Sequence, residues 1–144
     1  KPTIGETFLV VGLGLIGQIT IQILRSSGID VYGIEPNIDF IKKAKDSGFR
    51  NVYPDFSSLK KNIPLSIKTI GFDAAIITAA SKSNKILGQT FEVCRRKSRV
   101  ILVGDVGLSI KREDIYKKEI DFKIASSYGP GRYDVDYEEK GIDT

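Results

Sequence analysis

Three glycines and one carboxylate are the residues of this 144-residue chain whose spacing could do chemistry. The glycines follow the pattern Gly12-x-Gly14-x-x-Gly17 directly after the apolar run 8–11, and Glu35 comes 18 positions after the last of them. A glycine loop between a strand and a helix leaves backbone N–H groups free for a phosphate. An acidic residue about 20 positions later can accept hydrogen bonds from a ribose. The spacing therefore predicts a dinucleotide site.

Each residue of the loop has its own role in this prediction. Gly12 lets the chain turn sharply out of the strand, Gly14 leaves room for the pyrophosphate against the backbone, and Gly17 lets the helix pack closely on the strand. The amides of Leu15 and Ile16, at the start of the helix, then face the diphosphate and are helped by the helix dipole.

The residues that end the second predicted strand decide which dinucleotide is favoured. Glu35 would accept hydrogen bonds from the adenosine ribose and repel a 2′-phosphate, so NAD is expected rather than NADP, and Pro36 is placed beside it among the cofactor-binding residues. The structural alternative is a plain glycine turn, with Glu35 as a solvated strand end. S-adenosylmethionine enzymes share the glycine-rich loop and the acidic strand end, but the third glycine, Gly17, argues against them.

Short apolar runs alternate with amphipathic stretches along most of the chain, and this alternation must position the loop. It predicts helices at about 16–28, 40–48, 83–97 and 113–118, and a further one at 57–69 that is broken by Pro64. The predicted strands are 8–11, 29–35, 51–53, 72–78, 99–103 and 121–126. This is the pattern of an α/β doubly wound six-stranded parallel sheet, a Rossmann fold with strand order 3-2-1-4-5-6. The domain is predicted to span 1–128, followed by a loop and acidic tail or linker at 129–144.

Composition and charge exclude several classes of partner. The chain is 41% hydrophobic and 28% charged, and its longest apolar runs are far shorter than the roughly 20 residues that span a bilayer. No signal peptide opens it, so a cytoplasmic domain with no membrane partner is expected. The basic residues form scattered short clusters instead of one stripe with interleaved aromatics, so no nucleic-acid partner is expected either.

The residue types also limit what the chain can catalyse. There is no His, so it has no imidazole base and no His metal ligand, and the single Cys94 cannot build a thiolate zinc site. Cys94 is expected to be a packed core thiol. Asp55 either approaches the adenine side of the pocket or caps the segment at Ser57. Because the chain begins at Lys1 and not at Met, we expect a segment of a longer protein.

Four stretches carry a resemblance to a known family. They are VVGLGLIGQ at 10–18, GIEPN at 33–37, FDAAIITAA at 72–80 and CRRKSRVILVGD at 94–105. With them the chain resembles the nucleotide-binding domain of the medium-chain, zinc-type alcohol dehydrogenase superfamily. The resemblance implies that Thr78, Ala79 and Ala80 line the dinucleotide, and that Val103 and Gly104 lie beside the nicotinamide.

The resemblance also implies what this chain lacks. The superfamily carries its zinc ligands in a catalytic domain, so zinc is expected only in that domain, which is absent here. In the parent protein this catalytic domain would be the partner of the present domain. The segment alone is therefore expected to be inactive. The stretch SSYGPGRYDVDYEEKGID at 126–143 resembles a narrower branch fused to a glucose–fructose oxidoreductase-like half, with the 129–134 loop as a candidate joint. The sequence departs from the superfamily at Phe40, where a basic residue is common, at Glu35, where Asp is preferred, and at Ser98, where Gly is common.

Two functions and one assembly follow as expectations. The first function is hydride transfer between NAD(H) and an alcohol or carbonyl, as part of a dehydrogenase. The second is a stand-alone Rossmann regulatory module that senses dinucleotides, like those of potassium-uptake systems. The predicted strand 121–126 should end the sheet, and its open edge could pair two copies in a homodimer, as it often does in the superfamily. The alternative is a monomer with this edge covered by the tail.

Overall fold

The computed structural model describes residues 2–126, which form an α/β fold around one parallel sheet. Its strands are β1 (Thr7–Val11), β2 (Asp30–Ile34), β3 (Val52–Tyr53), β4 (Phe72–Ile77), β5 (Ala80–Ser81), β6 (Cys94–Leu102), β7 (Asp105–Val106) and β8 (Asp121–Ile124). Six of them form the main sheet in the order β3-β2-β1-β4-β6-β8, and all its pairs are parallel. The predicted fold and strand order are confirmed. The short β5 and β7 were not predicted and pair with each other.

Within residues 2–126, six helices connect these strands. They are α1 (Leu15–Ser26), α2 (Ile38–Asp46), α3 (Phe56–Asn62), α4 (Leu65–Ile70), α5 (Ile86–Val93) and α6 (Arg112–Tyr116). Pro64 lies directly before α4, so the break predicted in the 57–69 helix is confirmed. In residues 2–126 no helix has the length and apolar character needed to cross a membrane.

The central strands of the sheet are buried on both faces, as their apolar sequences require. Leu9 and Val11 of β1 face one cluster of buried side chains, which α3, α4 and α5 cover. Phe8 and Val10 face the opposite cluster, beneath α1 and α2. This double burial explains why the central strands read as continuous apolar runs and not as alternating ones. Because the central strands are parallel, their carboxyl ends lie at one edge of the sheet.

The predicted helix at 83–97 and the predicted strand at 99–103 are both wrong at their common boundary. The helix ends at Val93, and the strand begins at once with Cys94, which pairs with Phe72 of β4. Lys118 holds this junction, because its Nζ donates hydrogen bonds to the carbonyl oxygens of Phe91, Glu92 and Cys94 at 2.9, 2.6 and 2.7 Å. A contact across more than 20 residues therefore ends a helix that the local periodicity would continue.

The inward face of α1 also differs from the apolar periodicity that predicted the helix. Gly17, Ile21 and Leu24 are its buried residues. Ile16 and Ile23 are more than half exposed, and they lie on the flank of the helix. The periodicity therefore identified the helix but not the side that packs on the sheet. The last strand is shorter than predicted and ends at Ile124, and the predicted tail at 129–144 lies outside the described residues.

Candidate functional site

The glycine loop, residues 12–17, joins the carboxyl end of β1 to α1 and is the centre of the candidate site. Gly12 has a φ of +95°, and its N–H donates to the carbonyl of Ile34 at 2.8 Å. A Cβ at Gly12 would lie 2.6 Å from the backbone nitrogen of Ala79, and one at Gly17 would overlap the carbonyl oxygen of Gly12. Close backbone packing therefore requires glycine at both positions.

Gly14 stands in a different environment from the other two. It is the N-cap of α1, and a Cβ built on it would meet no atom within 4 Å. The first-turn amides, those of Leu15 and Ile16 among them, have no acceptor inside the helix, and no side chain caps them. Open space beside unpaired N–H groups at the positive end of a helix is suited to a phosphate. The surroundings of Gly14 therefore leave room for a phosphate group, and pyrophosphate binding there stays a prediction.

Glu35 directly follows β2, the position at the end of the second strand that the sequence predicted, but it is not solvated there. Its residue surface is only 6% exposed. Its Oε2 accepts a hydrogen bond from the N–H of Leu13 at 2.7 Å, and its Oε1 accepts one from the N–H of Asn37 at 2.8 Å. Pro36 lies between Glu35 and Asn37 in the sequence, and the Asn37 side chain caps α2 by accepting from the N–H of Asp39. This carboxylate bridge joins the glycine loop to the start of α2, and the sequence analysis missed it.

Thr78 and Ala79 leave β4 in direct contact with the glycine loop. Their amides both donate to the carbonyl of Val11, at 2.8 and 3.0 Å. The Thr78 hydroxyl donates to the carbonyl of Gly12 at 2.6 Å. Gln18, which the sequence analysis did not single out, fixes the loop from its other side, since its Nε2 donates to the carbonyl of Leu13 at 2.9 Å.

The chain leaving β6 lies against the chain leaving β4. The amides of Val103 and Gly104 both donate to the carbonyl of Ile77 at 2.9 Å, and a Cβ at Gly104 would overlap the carbonyl oxygen of Ala79. The β5–β7 pair then continues this contact, with Ala80 beside Asp105. An open cavity of about 580 Å³ lies here, lined by Ala80, Ser81, Lys82, Asp105, Val106 and Gly107. The structure therefore brings the predicted residues after β1, β2, β4 and β6 to one edge of the sheet.

Other predicted residues have structural roles. Burial raises the pKa of the Cys94 thiol to about 12, although the Ser98 hydroxyl acts in the opposite direction, so Cys94 is a core thiol. Asp55 caps α3, and hydrogen bonding from the Ser58 amide lowers the pKa of its carboxyl. The capping alternative predicted for Asp55 is therefore the one observed. Phe40 lies under the ammonium of Lys43, whose Nζ is 5.6 Å from the ring centre.

The described residues do not assemble a zinc site. Within residues 2–126 no group of three or more His, Cys, Asp and Glu side chains is arranged to hold a metal ion. Zinc prefers four ligands drawn from thiolates, imidazoles and carboxylates, and this part of the chain does not assemble them. The described residues fit a dinucleotide and do not fit zinc.

Comparison with known proteins gives one family and one partial relative. The family described as zinc-binding dehydrogenase matches residues 16–139 of this chain. UDP-N-acetyl-D-mannosamine dehydrogenase of Methanocaldococcus jannaschii is 36% identical over 61 residues, which is 42% of this chain and 14% of that protein. The chain thus spans only a small part of this relative.

Solved structures of similar fold include two dehydrogenases. A 2R,3R-butanediol dehydrogenase from Bacillus subtilis has a TM-score of 0.73 at 22% identity, covering 91% of this chain and 38% of its own. A zinc-binding dehydrogenase from Sinorhizobium meliloti 1021, solved bound to NADP, has a TM-score of 0.73 at 20% identity, covering 99% of this chain and 44% of its own. These likenesses establish the fold, and the family match extends over most of the sequence. The chain belongs to the zinc-binding dehydrogenase family.

Proposed function

We propose that this chain is the NAD(H)-binding domain of a zinc-type dehydrogenase that moves hydride between nicotinamide and an alcohol or carbonyl. The observation that carries the proposal is the open space at Gly14, beside the unpaired amides at the start of α1. The diphosphate would lie against these amides. The nicotinamide would extend toward the cavity between the ends of β4 and β6, along Thr78, Ala79, Ala80, Val103 and Gly104. When bound, the cofactor supplies the hydride chemistry, and this chain holds and orients it.

The identity of the dinucleotide is part of the proposal. Glu35 directly follows β2, and Asp39 lies in the first turn of α2. Both carboxylates would oppose a 2′-phosphate, and the described turn between β2 and α2 (residues 35–37) contains no Arg or Lys to attract one. These features support NAD as the cofactor. The Sinorhizobium meliloti neighbour was solved with NADP, so the preference requires direct measurement.

The parent protein is proposed to supply the rest of the chemistry. Hydride transfer to a carbonyl needs an acid or electrophile to stabilise the developing alkoxide, and zinc is the electrophile that the family description indicates. Because residues 2–126 do not hold such a site, we propose that a catalytic domain outside this chain provides it. This chain alone should then show no dehydrogenase activity. The family match favours this enzyme part over a stand-alone regulatory module.

Calorimetric titration tests the ligand class. The chain should bind NADH more tightly than NADPH, and S-adenosylmethionine should give no heat of binding. Free NADH at a concentration of about 100 times its Kd should stabilise the fold by about 2.7 kcal/mol, which a thermal shift will detect. Absence of binding at millimolar NADH would refute the proposal. Tighter binding of NADPH would keep the enzyme class and overturn the preference for NAD.

A further inference from the structure

Glu35 occupies the point where the glycine loop and the turn from β2 into α2 come together. Its two carboxylate oxygens accept from the amides of Leu13 and Asn37, at 2.7 and 2.8 Å. The residue is almost entirely buried, and Leu13 is fully buried. One side chain therefore ties together two backbone segments that are more than 20 residues apart in sequence.

The conformation of the loop depends on such ties. Leu13 stands between Gly12 and Gly14, and glycine imposes little steric preference on its own backbone. Hydrogen bonds must fix the loop instead. The Gly12 carbonyl is held by the Thr78 hydroxyl and the Leu13 carbonyl by the Gln18 side chain. The third hydrogen bond of the loop runs from the Leu13 amide to the Glu35 carboxylate. Because its acceptor is a carboxylate, it belongs to the charge-assisted class, which is stronger than the class of neutral hydrogen bonds.

We propose that Glu35 is a positioning residue for the glycine loop, and that it shapes the diphosphate site through the Leu13 amide. This inference rests on the proposed dinucleotide function and adds to the ribose role of Glu35. Its consequence concerns cofactor preference. Replacing Glu35 alone in order to admit a 2′-phosphate will also weaken the binding of the diphosphate that NAD and NADP share.

The test uses two ligands that differ only at the ribose. ADP carries the ribose hydroxyls, and 2′,3′-dideoxy-ADP carries the same diphosphate without them. Glu35→Gln keeps the shape of the side chain but turns an amide N–H toward one of the two backbone N–H groups. Glu35→Asp keeps the charge but is one methylene too short to reach both amides. Calorimetry should give both variants a Kd for dideoxy-ADP about tenfold or more above wild type, the scale of a hydrogen bond to a charged group.

Asp73→Asn provides the matched control. Asp73 also accepts a hydrogen bond from a backbone N–H, that of Thr7 at 2.7 Å, but it lies at the amino edge of the sheet, opposite the glycine loop. This variant should lower the melting temperature without changing the Kd of either ligand. It separates a loss of stability from a loss of loop geometry.

Amide hydrogen exchange in the ligand-free chain provides a second readout. The N–H groups of Leu13 and Asn37 should exchange faster in both Glu35 variants, relative to the N–H of Val10 in β1, and should be unaffected in Asp73→Asn. An unchanged Kd for dideoxy-ADP, with weaker ADP binding, would overturn the proposal and leave Glu35 with a ribose role only. Unchanged exchange would overturn it as well. If wild type binds neither ADP nor NADH, the proposed function fails, and the exchange rates still decide whether Glu35 holds the loop.

Discussion

Gly12 and Gly14 are two residues apart, yet packing within the fold constrains Gly12, whereas only a bound ligand would constrain Gly14. Gly12 has a positive φ, and a side chain there would press on Ala79, so substitution at Gly12 changes the folded chain itself. Gly14 has an extended backbone that any residue can adopt, and its Cβ would enter empty space. A side chain at Gly14 is therefore compatible with the fold and conflicts only with a bound ligand.

Gly14→Val should abolish the thermal shift that NADH gives, because its methyl groups would occupy the space of the pyrophosphate. The unliganded variant should stay folded and lose no more than about 1 kcal/mol, since Val is a poorer N-cap than Gly. Gly88→Val is the matched control, because a Cβ at Gly88 in α5 also meets no atom within 4 Å. The control should keep the full NADH shift. Retained NADH binding by Gly14→Val would contradict the placement of the diphosphate.

At the scale of elements, the sequence predicted what is local and missed what depends on distant contacts. Short stretches of sequence encode the glycine loop, the apolar strands and the break at Pro64, and the sequence predicted all three. The boundary between α5 and β6 was not predicted, because Lys118 and the pairing of Cys94 with Phe72 set it. The bridge made by Glu35 was missed for the same reason, since its partner Leu13 is 22 positions away.

Lys118→Met should destabilise the fold by about 1–3 kcal/mol, because the junction of α5 and β6 would lose three hydrogen bonds while keeping an apolar stem of similar length. Urea unfolding measures this change. Lys117→Met is the neighbouring control. The Lys117 ammonium is exposed and forms an ion pair with Glu113 at 3.8 Å, so its loss should cost less than about 0.5 kcal/mol. Equal effects of the two variants would rule out a special role for Lys118.

The amino edge of the sheet should make stability depend on pH. Burial acts to raise the pKa of Asp73, but the hydrogen bond from the Thr7 amide and the Arg95 guanidinium outweigh it, so the pKa lies below its usual value. A carboxyl with a lowered pKa stabilises the fold above the unfolded pKa of about 3.9 and loses this contribution as pH falls through the folded value. Asp73→Asn should therefore be less stable than wild type at pH 7, by about 1–3 kcal/mol.

The difference between the two proteins should shrink as the pH falls below the unfolded value of about 3.9 and toward the lowered pKa of Asp73 in the folded chain, where the wild-type carboxyl also begins to take up a proton. Urea unfolding at pH 7, 4 and 2 measures it. A difference that stays constant over this range would mean that the charge on Asp73 contributes nothing to stability.

At the scale of the whole molecule, β8 is the terminal strand of the sheet, as predicted, and Ile124 at its end is 60% exposed. The N–H of Ala125 donates to Leu102 of β6, so by alternation along the strand the N–H of Ile124 points away from β6, to the outer edge of β8. Within residues 2–126 no other strand pairs with this outer edge of β8, and an unpaired edge strand favours pairing with a second copy. We therefore predict that the chain forms a symmetric homodimer through this edge.

Ile124→Pro tests the dimer, because proline removes the outward N–H without removing the bond from Ala125 to Leu102. Sedimentation at high micromolar concentration should show a dimer for wild type and a monomer for the variant. Ile124→Thr is the control. It keeps the backbone N–H of residue 124 and should remain a dimer. A wild-type monomer, unaltered by the proline, would rule out pairing at this edge.

The contrast among the glycines also bears on how related sequences diverge. At Gly12, Gly17 and Gly104 a side chain would strike backbone atoms of the domain itself, whatever the chain binds. A side chain at Gly14 would contact no such backbone atom. In a lineage that no longer bound its ligand, substitutions at Gly14 would be tolerated first. The other three glycines would be conserved for as long as the fold was conserved. The residue at this one position, compared across descendants, should therefore distinguish lineages that still bind a dinucleotide from those that retain only its scaffold.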